Sequence, residues 1–313
     1  MLPFLSNVAS LIWFILFWGT ISGLANFASA GAEAEPRVVV SLKPLHSLVA
    51  NIMDDIAVPD LLITRSRSPH ESALKPSQAQ KLQKADMVIW IGPELESFLA
   101  SPVQSISRTA VNFQIGRLFT SNLHHDVPKI DTISSYAKNR DSHVWLSPQK
   151  AKIIASKIAE KLSKIDPQNG DLYRKNAKKI IVKITLLERD LTKKMSKFKD
   201  HNFLVFHDAY SHFTRYFGLT DPIVATIHPM VRPGASKIRS LQKAIQEKKI
   251  RCAFTEPQVE YHLLDTIIDS LPVHITELDP IGTKVPPGPE AYFQILNNLA
   301  VSFSHCLDRN SLN

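Results

Sequence analysis

The chain is poor in glycine and cysteine, and its first stretch carries no charge. Its 313 residues hold 10 glycines against 20 prolines, and no glycine-rich run suited to cradling a phosphate is present. Two cysteines are too few for a disulfide scaffold or a four-cysteine zinc site. Hydrophobic residues at 44% and charged residues at 21% are globular proportions, which argues against a disordered chain. Residues 1–32 contain no Asp, Glu, Lys or Arg. Leu11 to Leu24 is almost continuously apolar, and Ala28-Ser29-Ala30 has the small-x-small form of a cleavage site. This predicts a signal peptide over residues 1–30, although only the terminal amine supplies its positive charge. The alternative is an uncleaved anchor, for which the apolar core is short of the ~20 residues a span needs. No cysteine follows the apolar run, so a lipoprotein anchor is not expected. The compartment that fits is a Gram-negative periplasm.

Export decides how the two cysteines read. In an oxidising compartment Cys252 and Cys306 default to one disulfide, closing a long loop for about 4 kcal/mol. Thiolate metal ligands are the weaker reading, because such pairs are usually close in sequence.

The rest of the chain alternates short apolar runs with amphipathic stretches. Strands are expected at 37–42, 61–64 and 87–91, with helices at 45–53, 77–85 and 94–100 between and after them. The unbroken apolar character of the strands indicates burial on both faces, as in a parallel sheet. Residues 121–142 are polar and aperiodic, and Ser147-Pro148 then supplies an N-cap and an N1 proline for a helix to about Ile165. Tyr173, Ala177, Ile180, Ile184, Leu187, Leu191, Met195 and Phe198 mark one face of a single long helix. Strands at 203–206, 222–227, 253–255 and 273–278 follow, each with a helix after it, the last at 291–307. The fold expected is α/β: two (β/α) lobes, each with a mostly parallel sheet flanked by helices, joined by one long rigid helix. The divisions are a first lobe at 31–166, a linker helix at 167–200 and a second lobe at 201–313.

The net charge of +8 raises the question of a polyanion partner. Much of the excess lies on the long helix, as Arg174, Lys175, Lys178, Lys179, Lys183, Lys193, Lys194 and Lys197, with no aromatic interleaving. A solvated face is the plainer reading, and no nucleic-acid partner is expected.

Among twelve histidines, a few sit where open α/β sheets place ligands, beyond the carboxyl ends of strands. His207 follows the 203–206 run, His70 lies beyond the 61–64 run, and Asp279 follows the 273–278 run. His143 precedes the Ser147-capped helix. Three imidazoles and a carboxylate form a donor set that favours tetrahedral zinc. Glu71 and Asp208 flank candidate ligands and could orient them or simply cap helices; Glu256 could line the cleft or be structural. His212, His228, His262, His274 and His305 have ordinary packing or surface readings.

Local sequence narrows this. Ser68-Pro69-His70-Glu71-Ser72-Ala73-Leu74-Lys75-Pro76-Ser77 resembles the SPH-x-x-x-L-x-P-S block of periplasmic zinc-binding proteins, the solute-binding components of zinc ABC importers. Asp141-Ser142-His143-Val144-Trp145, Phe206-His207-Asp208-Ala209-Tyr210, Phe254-Thr255-Glu256-Pro257 and Leu278-Asp279-Pro280-Ile281-Gly282 continue the match in order across roughly residues 37–307. The resemblance implies a metal site in the inter-lobe cleft built from His70, His143, His207 and Asp279, and a Cys252–Cys306 disulfide. It also implies a monomer that carries Zn2+ to an ABC permease and its ATPase, and no enzymatic activity.

The sequence departs from the family at residues 121–142, which hold only His124 and His125 where zinc members often have a His-rich loop. Manganese relatives lack that loop, so Mn2+ is the alternative cargo. Manganese members typically have a carboxylate at the position of His207, and the extra nitrogen favours zinc. A zinc hydrolase would keep an open coordination position and a nearby base, and no HExxH motif is present. An adhesin on the same fold is a further rival.

Overall fold

The computed structural model describes residues 35–64, 68–71, 73–119, 141–227, 229, 231–259 and 261–308. The expected signal peptide, the His124/His125 loop and His228 lie outside these residues. Among the described residues no helix is long and apolar enough to cross a membrane.

The first half contains β1 (Val38–Val40), α1 (Lys43–Ile52), β2 (Asp60–Leu61), α2 (Pro76–Lys84), β3 (Met87–Trp90), α3 (Ala100–Ser105) and β4 (Val111–Gln114). The four strands form one parallel sheet in the order β2-β1-β3-β4. β1 and β3 are buried along their whole length, which is why they read as unbroken apolar runs. β4 has no counterpart in the sequence reading. It is an edge strand with one buried residue, Phe113, and its Val-Asn-Phe-Gln alternation is too short to stand out.

Two long helices follow. α4 (Pro148–Ile165) starts at Ser147, whose hydroxyl accepts from the Lys150 N–H, with Pro148 at its first position. α5 (Gly170–Met195) is the long helix, and its apolar face from Tyr173 to Met195 is buried as the three-and-four spacing requires. Short 3-10 turns at Pro167–Asn169 and Ser196–Phe198 extend it at both ends.

The second half repeats the first. β5 (Leu204–His207), α6 (Ser211–Phe217), β6 (Ile223–Thr226), α7 (Ala235–Glu247), β7 (Cys252–Thr255), α8 (Tyr261–Ile268), β8 (His274–Glu277) and α9 (Ala291–Asp308) follow in order. Their parallel sheet has the order β6-β5-β7-β8. Each sheet therefore reverses its winding once, between β1 and β3 and between β5 and β7. Those reversals open crevices at the carboxyl ends of the two strands concerned. Cys252, opening β7, is disulfide-bonded to Cys306 of α9 with their Cα atoms 5.8 Å apart. One apolar cluster runs from β1 and α1 through α4 and α5 into β5, α6 and α9, so the long helix packs into the core of both halves.

Candidate metal centre

His207 is the last residue of β5, one position further into the strand than the sequence suggested. Its side chain is 2% exposed. Glu256, immediately after β7, reaches across the sheet's winding reversal, with Oε1 2.7 Å from His207 Nδ1. A carboxylate only accepts, so Nδ1 carries the proton of the neutral ring and Nε2 keeps its lone pair. The Tyr210 hydroxyl stands 3.0 Å from the same Glu256 oxygen and 3.2 Å from the Leu278 carbonyl. Burial works against a charged His207, but the Glu256 carboxylate outweighs it and holds the imidazole pKa above its usual value.

His143 precedes the 3-10 turn Val144–Leu146 and is equally enclosed. Asp141 Oδ1 accepts from both the backbone N–H and Nδ1 of His143, each at 2.8 Å. Again Nε2 is left as the donor atom. Burial alone would raise the Asp141 pKa; bonds and charge from His143 and His212 hold it far below the usual carboxylate range. His212 Nε2 donates to the Asp141 carbonyl at 2.9 Å, and its Nδ1 accepts from Lys150 Nζ at 3.0 Å. His212 thus supports the site without facing it.

His70 sits on the 3-10 turn Pro69–Glu71, beyond β2, with its backbone N–H 3.3 Å from the Ser68 hydroxyl. The three rings meet with centroids 5.1, 5.4 and 5.9 Å apart. Their ligand atoms all lie within 4.8 Å of one another. Tetrahedral nitrogens on zinc bonds of about 2.0–2.1 Å stand roughly 3.4 Å apart, so closing on an ion needs about an ångström of approach. Two carboxylates behind the imidazoles balance the charge of one divalent cation. The donor set therefore fits zinc.

Asp279 lies two residues beyond β8 and does not join this cluster. Its carboxylate is folded onto its own turn. Oδ1 accepts from Gly282 N at 2.9 Å, and Oδ2 from Thr283 N at 2.5 Å and the Thr283 hydroxyl at 2.6 Å. Asp208 accepts from the Ser211 hydroxyl at 2.8 Å. His274 and His305 are exposed. The Glu71 and His262 side chains lie outside the described residues. Asp141 is the residue the sequence reading did not single out; its place two residues before His143, in the quoted Asp141-Ser142-His143 block, was the available signal.

Comparison with known proteins identifies the family. The high-affinity zinc uptake system protein ZnuA of Brucella suis is 32% identical over 91% of this chain and 96% of its own length. Its Haemophilus influenzae counterpart is 30% identical over 90% of this chain and 96% of its own. Among solved structures, the Pseudomonas aeruginosa solute-binding protein FpvC in complex with Mn2+ superposes with a TM-score of 0.74 at 20% identity. That match covers 88% of this chain and 100% of the other, and at this identity it speaks for the fold. The family described as zinc-uptake complex component A, periplasmic, matches residues 38–306, and this chain belongs to it.

Proposed function

We propose that the chain is a periplasmic carrier that captures zinc between its lobes and delivers it to a membrane ABC importer, a permease with its ATPase. It performs no reaction on its cargo. The observation that supports this most directly is the meeting of three imidazoles, two of them tied through Nδ1 to buried carboxylates. The ligands proposed are His70, His143 and His207. Asp279 is proposed as a fourth ligand only if its turn opens, because three donors hold its carboxylate where it is. Residues 1–30 are the proposed export signal, 31–166 and 201–313 the two lobes, and 167–200 the linker. The working unit is proposed to be a monomer.

The test is a competition titration of the mature protein with zinc and manganese at neutral pH. Zinc binds much more tightly than manganese, because nitrogen donors suit it better. His143→Ala weakens zinc at least about 100-fold, since both a ligand and the anchor of Asp141 are lost. Equal affinities for the two metals, or near-normal zinc binding in that variant, overturn the reading. Zinc affinity also falls with acid, because each ligand must be neutral. His207 takes part in this loss, since the Glu256 carboxylate holds its pKa above the usual imidazole value.

A further inference from the structure

One histidine outside the three-imidazole cluster joins the two halves of the chain at its edge. His212 is the second residue of α6, five positions after His207. Both nitrogens of its ring are engaged: Nε2 donates to the Asp141 carbonyl at 2.9 Å, and Nδ1 accepts from Lys150 Nζ at 3.0 Å. Its backbone N–H meets Asp141 Oδ2 at 3.3 Å. Asp141 and Lys150 come from before the long helix, one just ahead of the His143 turn and one in the first turn of α4. Of the three oxygens of Asp141, Oδ1 therefore faces His143, and the other two face His212.

The contact belongs to a polar seam. Tyr216 lies one turn beyond His212 on the same face of α6, and its hydroxyl donates to Glu188 of the long helix. The other Glu188 oxygen accepts from Lys152 Nζ of α4 at 2.5 Å. The opposite face of α6 is apolar. Phe213 stacks on Phe303 of α9 with ring centroids 5.3 Å apart, and Phe217 packs on Phe213 at 4.7 Å. The two faces answer a pull differently. Hydrogen bonds broken along the seam are replaced by bonds to water at small net cost, whereas parting the aromatic face exposes apolar surface. The seam is the weaker joint, so α6 stays with α9 when the two halves are drawn apart.

We propose that His212 is a positioning residue that couples the fit of the two halves to the proposed ligand His143: from α6 it holds Asp141 against the His143 ring, and drawing α6 off the seam lets that ring go. Asp141 then keeps a partner on one oxygen alone, and the imidazole loses its fixed orientation. Loss of such a support typically weakens a metal about 10–100-fold. A partner that moves α6 therefore loosens the cargo without touching it. This rests on the zinc-carrier reading above.

The test is a double-mutant cycle between His212→Leu and Asp141→Asn, read by zinc affinity, by the rate of zinc release into excess chelator, and by the His143 ring N–H signal of the metal-free protein in NMR. The His212 backbone N–H survives every substitution, so the cycle reads the ring. In the native background His212→Leu weakens zinc at least about tenfold, mostly through faster release, and the His143 ring N–H signal broadens or vanishes. In the Asp141→Asn background the same change alters affinity less than about threefold, because the link it acts through is already cut. His212→Gln, whose amide N–H can reach the Asp141 carbonyl, restores affinity to within about threefold and recovers the ring signal. A merely structural role for His212 would lower the melting temperature and leave the release rate and the ring signal native. If His212→Leu does not fold, His212→Asn, too short to reach that carbonyl, carries the same cycle. An equal penalty in both backgrounds overturns the proposal. So does native zinc release from a folded His212→Leu protein. Failure of the carrier reading is separate: the native protein would then not bind zinc, or His143→Ala would bind it normally.

Discussion

The two sheets have the same strand order, and each has one winding reversal, yet the two crevices do different things. In the second lobe the reversal between β5 and β7 holds His207 and Glu256, a proposed ligand and the carboxylate that orients its ring. In the first lobe the reversal between β1 and β3 holds Lys43 and Glu96. Lys43 grips the other lobe, and Glu96 turns inward, with Oε2 accepting from the Ile91 and Gly92 N–H groups at 2.8 and 3.2 Å. The first lobe's histidines of the three-imidazole cluster come instead from outside its sheet, His70 on one short 3-10 turn and His143 just before another. One topology thus offers two equivalent crevices, and side chains decide that one carries an imidazole and its carboxylate while the other takes a turn of the same chain. The supports differ as well. Disulfide Cys252–Cys306 ties β7, beside the cargo crevice, to the closing helix, and cysteine occurs nowhere in the first lobe.

The largest effect expected from breaking this asymmetry is loss of that disulfide. Its 54-residue separation corresponds to about 4 kcal/mol of restricted unfolded-chain freedom. Cys252→Ser with Cys306→Ser should lower the melting temperature of the metal-free protein markedly. Zinc should recover part of the loss, because it binds only the folded form. If the melting temperature is unchanged, the covalent tie is not what stiffens the second lobe.

The first lobe's crevice should respond to pH where the second's disulfide does not. Glu96 is wholly buried. Burial, and to a lesser extent nearby Glu94, pushes its pKa up to about 7, while the Ser41 hydroxyl and the Gly92 and Ile91 N–H groups restrain the rise. A carboxyl whose folded pKa is raised contributes stability that is complete below its unfolded value of about 4.5, and that is lost as pH climbs through about 7. The loss is on the order of 3 kcal/mol. Glu96→Gln keeps an acceptor for the two N–H groups and cannot ionise. It should melt with the native protein near pH 4.5 and well above it at pH 8. Parallel pH profiles for the two proteins would show that Glu96 is already ionised without strain.

What the sequence could and could not reveal follows from where each signal lies. The strands β1, β3, β5 and β7 are buried on both faces and are visible as apolar runs, and the long helix shows its spacing over more than six turns. β4 escapes because an edge strand with one buried side chain has almost no pattern. His207 is legible because a strand ends there, and His70 and His143 because their surrounding residues resemble family blocks. Asp279 has an equally good address, but an address does not say where a carboxylate faces. Its partners Gly282 and Thr283 are three and four residues on, and only the backbone path brings their N–H groups back to it. Lys43 is hidden for the same reason: its acceptors are about 240 positions away, and the helix was expected to begin two residues later.

The smallest effect separates the histidines from one another. His143 and His207 each present Nε2 because a carboxylate holds Nδ1, and both carboxylates are buried beside them. Glu256→Gln and Asp141→Asn should each weaken zinc about 10–100-fold, as removal of such supporting partners typically does. The two variants should not behave alike in detail. Glu256 receives the Tyr210 hydroxyl on the same oxygen that meets His207 Nδ1, so an amide there keeps an acceptor for both donors and loses the charge. Asp141 binds the backbone and ring of His143 and the backbone N–H of His212, so an amide there disturbs a link between the two lobes. Asp141→Asn should therefore lower metal-free stability as well as zinc affinity, whereas Glu256→Gln should act mainly on affinity and on its pH dependence, because the charge that raises the His207 pKa is gone. Calorimetry of the metal-free variants beside zinc titrations at pH 6 and pH 8 separates the two. If both variants lose affinity and stability in the same proportion, the carboxylates are interchangeable props and the contrast between a sheet-borne and a loop-borne ligand has no energetic content.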